Sequence, residues 1–162
     1  MSVPDELEPF CYKTILVTLR DADATLVVNS IGMRPKTDVE QWVDFYPMGD
    51  ARTRSRKNYW MGRVLWQLSC NSRIEESRAD RDTMAPFTLA ARMRKLFEHV
   101  DLPVRKIGVP PEDIIGTLNI SEARQRYLPR RNITFQGEGN FSVEQGNVHT
   151  VVVTFQATLI VV

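Results

Sequence analysis

The sequence has little of what most enzyme families use for chemistry. Its 162 residues include two cysteines and two histidines, and Cys11 and Cys70 lack the spacing of a metal-binding motif. Two isolated cysteines argue against a disulfide framework, so we expect free, buried thiols in a reducing compartment. No G-x-S-x-G, G-x-x-x-x-G-K or C-x-x-C motif is present. The sequence therefore predicts no catalytic residue, no metal site and no cofactor.

A charge excess and long apolar runs are also missing. Twenty-one Lys and Arg residues against twenty Asp and Glu leave a formal net charge of +1, which excludes a protein-wide field that attracts nucleic acid or membranes. No apolar stretch approaches the roughly 20 residues that cross a bilayer. The acidic start M-S-V-P-D-E-L-E also lacks the basic and apolar regions of a secretion signal. We therefore expect a soluble protein that is made in a cytoplasm and has no membrane partner.

The end of the chain, from His149 to Val162, carries the clearest structural pattern. Its alternating apolar row consists of Val151, Val153, Phe155, Ala157, Leu159 and Val161. Alternation with a period of two predicts a β-strand that buries one face, and Gly62–Ser72 shows the same alternation. Because 162 residues with 43% apolar composition can build one core, we expect a single domain over residues 1–162.

A helical period occurs in two other segments. The stripe that predicts a long helix within Thr83–Val100 consists of Leu89, Met93, Leu96, Phe97 and Val100. Near the N-terminus, apolar residues recur every four positions between Asp5 and Leu19 and predict a second helix. Thr14–Leu19 fits a strand equally well, because it is rich in β-branched residues and follows Pro9.

Shorter segments complete the predicted fold. Strands are predicted at Val39–Tyr46, Ile114–Ile120 and Ile133–Gln136, whereas Leu26–Val28 fits a strand or a buried loop. Together the elements predict an α+β fold, in which one long helix packs on a mostly antiparallel sheet of about four to six strands. An N-terminal helix precedes the sheet.

Two clusters of basic residues stand out against the balanced total charge. The first lies in a predicted mobile loop and consists of Arg52, Arg54, Arg56 and Lys57. The second surrounds Tyr127 and consists of Arg124, Arg126, Arg130 and Arg131. Each cluster fits a solvated surface, and each also fits contact with a phosphate backbone or an acidic partner.

The order of these elements resembles the tail terminator, or tail completion, proteins of long-tailed bacteriophages. The matching pieces are Trp42 with the loop after it, the Gly62–Leu68 strand, the Phe87–Phe97 helix, the Arg130–Gln136 strand and the His149–Val162 ending. The resemblance covers most of the chain after about residue 38. The segment before it departs from the family pattern, since Pro9 and the Leu26–Val28 run make its opening helix less clear.

The resemblance implies a structural virion protein and not an enzyme. It implies a hexameric ring that sits in the tail or neck, caps the tail tube, ends tube polymerisation and presents the head-joining surface. The implied partners are further copies of the same chain, the tail tube protein and a head–tail connector or neck protein. Non-specific contact with DNA in the channel is also implied, and the first basic cluster would insert into the tube or line that channel.

Three other functions stay open on the sequence. Another head–tail connector, neck or tail tube protein would also be a small α+β subunit of a ring. A nucleic-acid-binding module would use the two basic clusters, and its binding would weaken steeply with salt because phosphate contacts release counterions. An enzyme of an unrecognised type would need a ligand-sized cleft and an acid with a perturbed pKa.

Overall fold

The fold combines two helices with one sheet. The computed structural model describes residues 7–30, 39–49, 54–56, 59–73, 83–136 and 142–161, with their side chains outside 54–61 and 130–147. The elements in chain order are α1 (Leu7–Ala22), β1 (Val27–Asn29), β2 (Gln41–Pro47), β3 (Arg54–Arg56), β4 (Tyr59–Arg73), α2 (Ala85–Phe97), β5 (Asp101–Arg105), β6 (Ile114–Ile120), β7 (Arg124–Gln136) and β8 (Ser142–Val161). The predicted α+β class is confirmed.

The sheet has more strands than the sequence predicted. Eight described strands belong to it, in the order β1-β2-β4-β8-β6-β5, with β3 added to β4 and β7 added to β8. The pairing of β1 with β2 is parallel, and the other described pairings are antiparallel. β1 decides for the strand at Leu26–Val28. The predicted count of four to six strands is too low because β3 falls in the predicted mobile loop and β5 was not predicted as a strand.

The two longest strands, β4 and β8, lie side by side at the centre of the sheet. Their pairing runs from Trp60 opposite Val161 to Arg73 opposite Val148. On its other side, β8 pairs with β6 near its C-terminal end and with β7 over the rest of its length. The odd-numbered residues of β8 from Val151 to Val161 are all buried, which confirms the predicted apolar face.

Both helices contribute to one core with that apolar face. On α1, the buried residues include Leu7, Cys11, Ile15 and Leu19, so the helical alternative and not the strand is correct for Thr14–Leu19. Pro9 is tolerated because the first turn of a helix leaves its backbone N–H groups unpaired in any case. No helix in the described part of the chain is long and apolar enough to cross a membrane.

The predicted long helix is the shorter of the two. α2 has 13 residues and α1 has 16. Helix α2 ends at Phe97 because Glu98 is extended, with φ −66° and ψ 128°, and His99 has a φ of 59°. A left-handed residue directly after an extended one cannot continue a helix, so the predicted stripe ends before Val100.

Candidate interaction surface

The face of the sheet opposite the helices divides into a buried half and an exposed half. We call it the helix-free face, because no helix of the described residues packs on it. Along β8, Val148, Thr150 and Val152 are buried on this face. The alternate positions from Thr154 to Ile160 are half-buried or exposed. The two halves therefore differ in what they can contact.

A chain of polar side chains crosses the buried half. Thr150 Oγ1 donates a 2.7 Å hydrogen bond to Asn71 Oδ1, and Asn71 Nδ2 donates a 3.0 Å bond to Asp44 Oδ2. Asn29 Nδ2 makes a longer contact of 3.5 Å with Asp44 Oδ1. Asn71 and Thr150 are completely buried. These residues come from β1, β2, β4 and β8. Their hydrogen bonds therefore fix the register of four strands, as a satisfied polar network does.

Three exposed arginines lie beside the exposed half and at its border with the buried half, and we call them the arginine surface: Arg63, Arg124 and Arg126. Arg124 lies opposite Thr154 and Arg126 opposite Val152, while Arg63 lies opposite Thr158. Side chains of directly paired residues point to the same side of a sheet, so all three belong to the helix-free face. All three are exposed, and none makes an ion pair within the residues that the structure describes.

The arginine surface contains part of the predicted second basic cluster. Arg124 and Arg126 belong to it, whereas Arg130 and Arg131 lie further along β7 and their side chains are outside the description. Arg63 was missed as a member, although its position on the polar side of the Gly62–Ser72 strand is visible in the sequence. Only the pairing of β4 with β8 brings it to the same surface as the β7 arginines.

The first basic cluster is partly a strand. Arg54–Arg56 form β3, with Arg54 opposite Met61 and Arg56 opposite Tyr59. The predicted mobile loop is therefore wrong for these residues, because they pair with the start of β4 as a hairpin. Arg52 and Lys57 lie outside the described residues.

A tyrosine on α1 holds the chain that leads into this hairpin. The Gly49 amide donates a 2.9 Å hydrogen bond to the Tyr12 hydroxyl, which itself lies 3.3 Å from the Leu65 carbonyl oxygen and 3.3 Å from Glu8 Oε1. Gly49 has a φ of +43°, and a Cβ there would come within 3.0 Å of Glu8 Oε1. Burial raises the pKa of Tyr12 to about 12, so the hydroxyl keeps its proton and bridges α1, the end of the β2 segment and β4.

The two thiols are placed for packing. Cys11 and Cys70 are free and buried, as predicted. Burial raises the pKa of each thiol to about 12, with Glu8 adding to the shift at Cys11 and Asp44 at Cys70. Because the thiolate is the reactive form, neither residue is an activated nucleophile at neutral pH. Among the described residues, no group of three or more His, Cys, Asp and Glu side chains could hold a metal ion.

An open groove of about 350 Å³ lies between the end of α1 and α2. Its apolar lining includes Leu19, Leu26, Met93 and Leu96. Beside them, Arg92 forms an ion pair of 2.5 Å with Asp23. Hydrogen bonds from Thr25, followed by that from Arg92, lower the pKa of Asp23 to about 2. A carboxylate that stays ionised does not act as a general acid at neutral pH.

Comparison with protein-family models and with curated proteins found no match for this chain. Its function is therefore inferred from the order of its elements and from the surfaces described above. Of these surfaces, the arginine surface has described, exposed charges, and β7 has an edge without a paired strand in the described part of the chain.

Proposed function

We propose that this protein is a structural virion protein of the tail terminator type. It forms a hexameric ring on the end of a bacteriophage tail tube, ends tube polymerisation and presents the surface that joins the head. The observation that carries the proposal is the order of the elements: an N-terminal helix, four strands, a second helix, three further strands and a closing strand of 20 residues. This is the order that the resemblance in sequence implies.

The end of the sheet gives a physical reason for assembly. β4 accompanies β8 only as far as Val148. Beyond that point, within the described part of the chain, Ser142–Gln145 of β8 pair with Ile133–Gln136 of β7 and with no third strand. A two-stranded ribbon is marginally stable at best when isolated in water. A neighbouring subunit would stabilise it, and a closed ring supplies a neighbour to every ribbon.

The outer edge of β7 favours an assembly that stops. In the described chain β7 pairs with β8 alone, so its other edge is unpaired. It carries Arg124, Arg126 and Pro129, and its register with β8 breaks between Leu128 and Arg131. Charged residues, proline and irregular register all oppose uncontrolled addition of strands. A protein that caps a polymer needs such protection, because open-ended pairing would extend the assembly it has to end.

Another neck, connector or tube component would also form a ring, but it would bind a different part of the tail than the tube end. The test is therefore the mass of the purified protein in solution, followed by electron microscopy after mixing with polymerised tail tubes. We expect a ring-sized species, or a monomer that assembles on tube ends and blocks further growth. Binding along the tube wall would indicate a different virion component, and a monomer that ignores tube ends would overturn the proposal.

The basic hairpin gives a second, residue-level test of the same function. Replacing Arg52, Arg54, Arg56 and Lys57 by Ala should impair tail joining and leave the folded protein intact. A matched variant removes the same number of positive charges elsewhere, by replacing Lys13, Arg20, Lys95 and Lys106 with Ala. Normal joining by the hairpin variant, or equal impairment by both variants, would remove the hairpin from the interface.

A further inference from the structure

We propose that the arginine surface binds the phosphate backbone of duplex DNA. The inference rests on the proposed function for the source of the DNA, and it deepens that function by naming the surface and the residues that make the contact. Arg63, Arg124 and Arg126 supply the charge, and the neutral polar residues between them supply further hydrogen-bonding groups.

The spacing of the three arginines suits a chain of phosphates. Arg124 and Arg126 are two residues apart on β7, a Cα separation of about 7 Å. Arg63 lies on the far side of β8, roughly 10 Å across the sheet from β7 and, by the register, four residues or about 13 Å along it. One strand of duplex DNA carries a phosphate about every 3.4 Å along the helix axis. A surface of this length therefore meets several phosphates of one strand.

Neutral polar residues fill the space between the charges. Thr154 and Thr158 of β8 are half-buried, and Gln156 between them is exposed. Gln67 of β4 lies opposite Thr154, in the same row as Arg124. Hydroxyl and amide side chains are common donors to phosphate oxygens, so the surface combines charge with donors on a face that no described helix covers.

Within the described residues the three arginines of this face form no ion pair, in contrast to two arginines of the second helix. On α2, Arg92 is paired with Asp23 and Arg94 with Glu98. At the margin of the helix-free face, Asp101 accepts a 2.6 Å hydrogen bond from the Asn119 side-chain amide. Glu122 is exposed in the turn before β7. The same face also carries the carboxylates of Asp44 and Asp101, which accept hydrogen bonds from Asn71 and Asn119, so the arginines are its exposed cations beside two hydrogen-bonded acids.

Protection of the β7 edge explains only part of this pattern. Charged residues on an edge strand prevent further strands from adding, and Arg124 and Arg126 lie on such an edge. Arg63 lies on the central strand β4, next to β8, where no such protection is needed. A phosphate-binding surface accounts for all three residues.

The test compares two variants in binding to a fluorescent DNA duplex, measured by anisotropy between about 50 and 200 mM salt. The surface variant is R63Q/R124Q/R126Q. The control variant, K13Q/R20Q/K95Q, removes three exposed charges from the two helices. Since each phosphate contact contributes about 0.9 to the slope of log K against log salt, we expect the surface variant to lose about 2.7 of that slope. The control variant should keep the slope of the unmodified protein.

Several results would overturn the inference. Displacement of the unmodified protein from DNA by polyglutamate of similar length, as effective as displacement by unlabelled DNA, would indicate an acidic protein partner. Absence of binding at about 50 mM salt, or equal losses in both variants, would exclude this surface. Aggregation of the surface variant with an unchanged slope would indicate edge protection alone. The assay uses the purified protein without tubes. A negative DNA-binding result therefore does not argue against tube capping, and a negative capping result does not argue against DNA binding.

Discussion

The two faces of the sheet are built from the same strands and serve different purposes. On the helix-covered face, Trp66 stacks on Phe155 with ring centroids 5.3 Å apart, and Phe97 of α2 packs edge-on against Trp66 at 6.0 Å. On the helix-free face, the alternate positions of the same strands carry threonine, glutamine, asparagine and arginine. Alternation along β4 and β8 therefore specifies both a core face and a surface face of the same strands.

The largest expected effect comes from removing an aromatic side chain on the helix-covered face. Trp66→Ala should reduce the free energy of unfolding by about 3–5 kcal/mol, the usual range for large-to-small core substitutions. Trp66 is completely buried, and its Nε1 has no hydrogen-bond partner within the described chain, so the loss is one of packing. Gln156→Ala on the helix-free face should change the free energy of unfolding by less than about 0.5 kcal/mol. Similar effects in urea unfolding would contradict the division into two faces.

A smaller effect is expected within the buried half of the helix-free face. Asn71→Ala removes one hydrogen bond each from Asp44 and Thr150, and a hydrogen bond typically contributes about 0.5–1.5 kcal/mol, or more where one group is charged. Asn119→Ala, at an exposed amide that bonds Asp101, is the matched control and should cost less. If the two variants unfold at the same urea concentration, the polar chain does not stabilise the sheet.

The hydrogen bond between Tyr12 and Gly49 should show a local effect when it is removed. Tyr12→Phe leaves the Gly49 amide without its acceptor, and a typical hydrogen bond contributes about 1 kcal/mol. We expect faster hydrogen exchange at the Gly49 amide. The Thr25 amide, which bonds to Asp23 in a different turn, should exchange as before. Unchanged exchange at Gly49 would show that the Tyr12 hydroxyl does not hold the segment that follows β2.

The smallest effect is a dependence on pH. The pKa of Asp23 is lowered from 3.8 to about 2 in the folded protein, so its ionised form is favoured by folding. This contribution to stability is present above pH 3.8 and is lost as the pH falls towards 2. Titration of the Asp23 carboxyl carbon by NMR should give the lowered pKa, and Arg92→Gln should move it part of the way back. A normal pKa in the unmodified protein would contradict the contact between α1 and α2.

Much of the core was predictable because its apolar residues recur at regular intervals along the sequence. β8, β4 and α2 follow from apolar residues at intervals of two or of three to four, and these elements need no tertiary information. The choice between helix and strand at Thr14–Leu19 was open because β-branched residues favour the strand while the four-residue spacing favours the helix. Contact of α1 with the core decided it, as tertiary packing often overrides local preference.

The sheet's outer strands could not be predicted in the same way. In β7 only Ile133–Gln136 was predicted as strand, because four arginines and Pro129 give the preceding segment the composition of a loop. An edge strand tolerates these residues, since its unpaired side faces away from the sheet. The arginine surface depends on register as well, because Arg63 and Arg124 are far apart in sequence and meet only through β8.

The most direct test of the proposed function is electron microscopy of tail tubes that grow in the presence of this protein. The tube subunit should be the one encoded in the same genome. If the protein caps tubes, added density forms a ring at tube ends and tubes stop lengthening once it is present. Tubes that keep growing, with no density at their ends, would contradict the account.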